Sequence, residues 1–219
     1  MSLKLIAPAL LFLLSSAAQS IPKFQGRKVT IDKPELEPPL LDPKRPASVC
    51  IEAPPQRQCY TAPDDFGRWP TATLIHVTSD ATALLFSAAS GGVSGYDTHF
   101  ALLRPGTGND LANLLDPELS LSNQGQSAFW TEPSISDAKI FITADAVPGP
   151  DEAHWDDHRY IISAYVRNYS YNLQHFHYDL EDRYMTTRFY DPSAESSKVL
   201  DAEKSEVLAR LKRVKQSRH

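Results

Sequence analysis

HRYIISAYVRNYSYNLQHFHYDLEDRYMTTRFY, residues 158–190, decides the fold class and holds seven of the nine tyrosines. Its β-branched and aromatic content favours strand over helix. From 159 to 167 the side chains alternate. Tyr160, Ile162, Ala164 and Val166 fall on one face; Arg159, Ile161, Ser163, Tyr165 and Arg167 fall on the other. Successive strand side chains point to opposite faces, so one face is apolar and the other mixed. Asn168 to Asn172 has turn chemistry. A second aromatic run follows at 173–178, then a polar turn at 179–182. A third strand is predicted at 184–190, with Met185, Thr187 and Phe189 opposite Tyr184, Thr186, Arg188 and Tyr190. Strands adjacent in sequence usually pair, so a three-stranded meander is expected.

Upstream, residues 71–79 and 82–88 read as a strand pair across Ser79-Asp80-Ala81. Further strands are predicted at 98–104, 126–131 and 138–144, with a glycine-rich turn at 91–95. About eight short strands define a mainly β fold: a single antiparallel β-sandwich or barrel-like domain. Pro105-Gly106 is turn chemistry, and Asn109 or Asp110 is the expected N-cap of a short helix at 110–115. A phosphate loop would need a lysine before Ser or Thr at the helix start, and none is present there.

After Asp191-Pro192 the pattern turns helical. Leu200, Val207, Leu208, Leu211 and Val214 form an apolar stripe, predicting a C-terminal α-helix over about 196–215. Ser196 or Ser197 suits its start, and Arg210, Lys212, Arg213 and Lys215 suit its end. Such a stripe packs on a sheet or binds a partner.

Residues 1–20 read as a signal peptide: Lys4, an apolar run at 5–14, and Ala18-Gln19-Ser20 as the small-x-small cleavage site. The run is too short to span a bilayer, and no later run is longer, so no membrane span is expected in the mature chain. Residues 21–63 form a proline-rich extended arm, a tether or a wrap, in which Pro34, Pro38, Pro39, Pro43 and Pro46 disfavour helix and central strand. Cys50 and Cys59 are the only cysteines. In an exported chain they read as a disulfide, worth roughly 2–3 kcal/mol for a loop of that size. Residues 64–219 make the β-rich domain ending in the helix. A secreted or periplasmic location follows from the signal peptide. A net charge of −5 and a pI near 5.8 oppose nucleic-acid binding.

Three constellations carry chemistry. Asp151, Glu152, His154, Asp156, Asp157 and His158 crowd eight residues with ligands that suit calcium or zinc. A second pair, His175 and His177, shares a strand face and completes such a site if the two pairs meet. No cofactor is otherwise expected. Trp69, Trp130 and Trp155 join the tyrosine-rich strands; Trp130, Trp155, Tyr165, Tyr184 and Arg188 are the expected ligand-binding set. Finally, Asp151, Glu152, Glu181 and Asp182 are carboxylates available for acid–base hydrolysis, although no G-x-S-x-G elbow is present. The expectation is a non-catalytic binding or interaction module that takes a protein or glycan ligand on an aromatic sheet. The alternative is an extracellular hydrolase acting on polysaccharide or peptide.

Overall fold

In the computed structural model, residues 158–190 form two long strands rather than three. The structure describes residues 23–37, 42–43, 45–53, 56–91, 95–122, 125–147, 158–169, 176–191 and 198–218. The first strands are β1 (Lys23–Phe24), β2 (Arg27–Asp32), β3 (Leu36–Glu37), β4 (Asp42–Pro43), β5 (Ser48–Ala53) and β6 (Gln56–Thr61). Next come β7 (Arg68–His76), β8 (Thr82–Ala89), β9 (Thr98–Pro105), β10 (Leu111–Asn113), β11 (Leu115–Asp116) and β12 (Leu119–Leu121). The last are β13 (Gln126–Trp130), β14 (Ile140–Val147), β15 (Arg159–Tyr169) and β16 (Phe176–Met185), followed by the helix α1 (Val199–Ser217).

The strands form three main sheets: β1-β2-β5-β6, then β10-β9-β8-β7 with β12 also on β9, then β11-β16-β15-β14-β13. Pairing is antiparallel except between β11 and β16. The middle sheet is buried on both faces. Leu84, Phe86, Ala88, Ala101 and Leu103 pack with Phe24, Val29, Val49 and Ile51 of the N-terminal sheet. Ala83 and Leu102, one residue out of phase, pack with Phe141, Tyr165 and Tyr178 of the C-terminal sheet. This double burial explains why β8 (TALLFSAA) and β9 (THFALLRP) read as nearly continuous apolar runs. On its far side the C-terminal sheet offers Ile140, Ile142, Tyr160, Ile162 and Ala164 to Val199, Leu200, Val207 and Leu211 of α1. The architecture is a mainly β stack of open sheets with one C-terminal helix as its outer layer, and no sheet among the described residues is closed into a barrel.

Several expectations are corrected. The predicted turn at 179–182 lies inside β16. Ala164 pairs with Asp182 and Tyr165 with Leu180, which leaves Glu181 as the extra residue of a bulge. The acids are tolerated mid-strand because α1 supplies their counter-charges. Arg210 donates to both oxygens of Asp182 at 2.6 and 3.1 Å, and Arg218 meets Glu181 at 2.9 Å. β16 ends at Met185, and the predicted third strand reduces to one bridge, in which Tyr190 and His158 exchange backbone hydrogen bonds at 2.9 and 3.0 Å.

Residues 110–115 are not a helix but β10 and β11. The Asn109 carbonyl accepts from the Cys59 N–H, and the Asn113 side-chain oxygen accepts from the N–H groups of Leu102 and Leu115. The segment is thus held by neighbouring strands rather than by its own turns. β2 is an internal strand, between β1 and β5, although it lies in the proline-rich stretch. Its own six residues, RKVTID, contain no proline. Cys50 and Cys59 are bonded, and they face each other across the β5–β6 pair. The N-cap of α1 is Lys198, with no side-chain capping bond; Ser196 and Ser197 lie outside the described residues.

Candidate functional site

Most of the expected metal loop, Asp151, Glu152, His154, Asp156 and Asp157, lies outside the described residues, as do Trp155 and His175. His158 is buried, and its Nδ1 has no hydrogen-bond partner among the described residues. His177 reaches Asp179 on its own strand at 2.9 Å. Among the described residues no three His, Cys, Asp or Glu side chains gather to hold a metal.

The tyrosine-rich strands are largely interior. Trp130 packs in the core beneath α1, with the Lys204 ammonium over its ring. Tyr165 lies between the middle and C-terminal sheets. Tyr184 is half-buried and donates to Glu203 at 2.9 Å while Arg210 lies over its ring. Burial, reinforced by the Glu203 carboxylate, pushes its phenol well above the ordinary value. Arg188 is exposed, its guanidinium 4.8 Å from the centre of the Tyr190 ring. These four residues therefore do not converge on one surface. The apolar face of β15 is under α1, and the mixed face turns toward the middle sheet. Glu181 and Asp182, the described candidates for acid–base work, are held in ion pairs by the helix.

The exposed aromatic surface is elsewhere, on β7. Arg68 pairs with Ala89 and Thr71 with Ser87, so Trp69 and Pro70 together oppose Ala88. This bulge re-aims a side chain, a common use of bulges near functional surfaces. Trp69 takes a φ of 44°, in the left-handed region, at a cost of roughly 1–2 kcal/mol for a residue with a Cβ. The strained backbone turns the indole outward, 58% exposed. Tyr96, 37% exposed, packs edge-to-face on it, with ring centres 5.2 Å apart at 75°. The segment carrying Tyr96 is pinched at its neck. The Ser90 N–H donates to the Asp97 carbonyl at 2.8 Å, and the Asp97 N–H to Ser90 Oγ at 2.9 Å. The Arg68 guanidinium lies 5.9 Å from the Trp69 ring. Tyr96 was not legible as a partner of Trp69. The available signals were Pro70 beside Trp69 and the glycines that precede Tyr96.

Concavities among the described residues lie away from this platform. One, of about 250 Å³, is lined by Ile135, Val166, Arg167, Glu181, Leu211 and Lys215. Its charges are already engaged: Lys215 donates to the carbonyls of Ser134 and Ile135, and Arg218 holds Glu181. Another, of about 160 Å³, opens between β12 and the inward face of the C-terminal sheet and includes Tyr165, Ser163 and Thr143.

Comparisons with models of protein families, with curated proteins and with solved structures return no significant match.

Proposed function

We propose that this chain is an exported, non-catalytic binding module that holds a glycan on the Trp69–Tyr96 platform. The observation that carries the reading is the exposed Trp69, held at a positive φ on an edge-strand bulge against Tyr96. Backbone strain persists only where surrounding structure enforces it, and it concentrates at working surfaces. An open pair of aromatic rings offers flat apolar faces to the C–H faces of a sugar, and the phenol of Tyr96 adds a hydrogen-bonding group. Export is supported by the apolar run at 5–14 with its small-residue cleavage site, and by the Cys50–Cys59 disulfide. The hydrolase alternative is disfavoured by the engagement of Glu181 and Asp182 in ion pairs with α1.

The test is a glycan array probed with residues 21–219, followed by titration of each hit. Trp69→Ala and Tyr96→Ala are expected to weaken binding about tenfold or more, equivalent to about 1.4 kcal/mol, with unchanged melting. Binding unaffected by either change, or binding only to peptides, refutes the glycan platform. Turnover of any bound polymer refutes the non-catalytic reading.

A further inference from the structure

The geometry points to a second, separate binding site, for a peptide of about two residues with free ends, in the pocket roofed by the β11–β12 connection. Thr143, Ser163 and Tyr165 line it and are 1%, 8% and 3% exposed. None of their hydroxyls has a hydrogen-bond partner among the described residues. The three hydroxyls face the open space of the pocket, so a polar occupant entering it finds three groups ready to bond. Thr143 and Ser163 are direct cross-strand partners, and Ser163 is the partner of Arg183. The row across the sheet therefore runs threonine, serine, arginine.

Opposite charges stand on the two strands that flank β15, Arg183 in this row and Asp145 in the next row of the same face. Arg183 is exposed at one end on β16, with no ion pair or hydrogen bond among the described residues. Diagonally across from it, on β14, stands Asp145, two residues beyond Thr143 on the same face. One of its oxygens accepts from the Ser122 N–H at 2.8 Å, and the other is left for a ligand. Glu118, also without such a partner among the described residues, adds a second carboxylate from the roof. β14 and β16 flank β15, and Asp145 stands two residues along from the row of Arg183, so the backbones of the two residues stand about 12 Å apart. An extended dipeptide spans at most about 7 Å, which the reach of the two side chains extends to the full distance. The pocket's 160 Å³ is several times the space that one water needs. The carboxylate of such a ligand meets Arg183 and its ammonium meets Asp145 and Glu118. Its amide, both donor and acceptor, meets the three hydroxyls. A neutral sugar of the same size leaves both kinds of charge unmatched.

The experiment is isothermal titration of residues 21–219 with dipeptides such as Ala-Ala and Ser-Ala, with single amino acids, and with monosaccharides. Saturable binding of dipeptides is expected, weakened about tenfold or more by Arg183→Gln and by the pair Glu118→Gln/Asp145→Asn. The amide introduced by Asp145→Asn retains an oxygen for the Ser122 N–H, and Arg183 and Glu118 are exposed, so the variants should melt as wild type does. The end groups provide a cross-check. N-acetylation of the dipeptide is expected to weaken binding to wild type but to add nothing in the acid-less pair. C-terminal amidation should behave likewise with Arg183→Gln. Trp69→Ala should leave this binding unchanged, which separates the site from the glycan platform. Binding of monosaccharides alone, binding indifferent to the end groups, or no titration with any dipeptide overturns the inference.

Discussion

Tyr160→Phe is expected to stabilise this protein, against the usual direction of core substitutions. Tyr160 has no exposed surface, and its ring packs edge-on against Tyr190 with centres 5.8 Å apart. Its hydroxyl has no hydrogen-bond partner among the described residues. Burial accordingly pushes the phenol above its ordinary pKa. In the unfolded chain the hydroxyl is hydrated, so folding strips water and returns nothing, at a cost of about 1–3 kcal/mol. Phenylalanine removes that cost and keeps the ring contact. It leaves a hole of about 15 Å³, a water-probe volume, which takes back about 0.4 kcal/mol at ~24 cal/mol per Å³. The net gain is about 0.5–2.5 kcal/mol. At 2–4 °C per kcal/mol for a chain of this size, the melting midpoint rises by roughly 1–10 °C. Reversible thermal and urea melts followed by circular dichroism measure both quantities. A variant that melts at or below the wild-type temperature refutes the reasoning, because the hydroxyl must then be satisfied within the fold.

Three further outcomes are expected. Leu211→Ala, at a buried contact of α1 with the C-terminal sheet, should cost about 2–5 kcal/mol in a urea melt, and a loss under 1 kcal/mol argues that α1 is not part of the core. A double-mutant cycle on Asp182 and Arg210 should give a coupling of about 0.5–3 kcal/mol, nearer the lower end because Arg210 keeps about a third of its surface; zero coupling removes the charge-matching account of β16. His99, buried and 2.8 Å from the Tyr60 hydroxyl, is held below its ordinary value of 6.5 by burial, with Glu118 pulling the other way. The unfolded chain therefore takes up the proton first, so this contribution to stability is full above 6.5 and falls as pH drops toward the depressed folded value. Stability measured at about pH 7.5 and about pH 5 should differ less in His99→Gln than in wild type.

Short strand-favouring runs bounded by turn chemistry made β7, β8, β9, β13 and β14 legible, β14 by its alternation and β8 and β9 as nearly continuous apolar runs. The features that were missed depend on residues far away in the chain. Asp179 to Asp182 looks like a turn because Glu181 and Asp182 have no counter-charge nearby in the sequence; Arg210 of α1 and Arg218 at its C-cap supply it. Residues 110–115 resemble a capped helix, but Cys59, Leu102 and Tyr178 supply the backbone partners that make strands of them. β2 was concealed by averaging proline over a window longer than the strand itself. The candidate sites follow the same division. Trp69 was visible as an aromatic, but only the bulge shows it outward. Thr143 and Ser163 were ordinary strand residues until register placed them side by side with Arg183.

The order of the layers has a consequence for timing. Phe24, Val29 and Ile51 reach the ribosomal exit early, yet the residues that cover them, Leu84, Phe86, Ala101 and Leu103, follow much later. From Phe24 to Leu103 is a lag of about 80 residues, or on the order of ten seconds at roughly 5–20 residues per second. For that interval the leading sheet has no apolar surface to settle on. It must stay unfolded or be shielded, a state that suits passage through a narrow channel and exposes the nascent chain to proteases and holding chaperones.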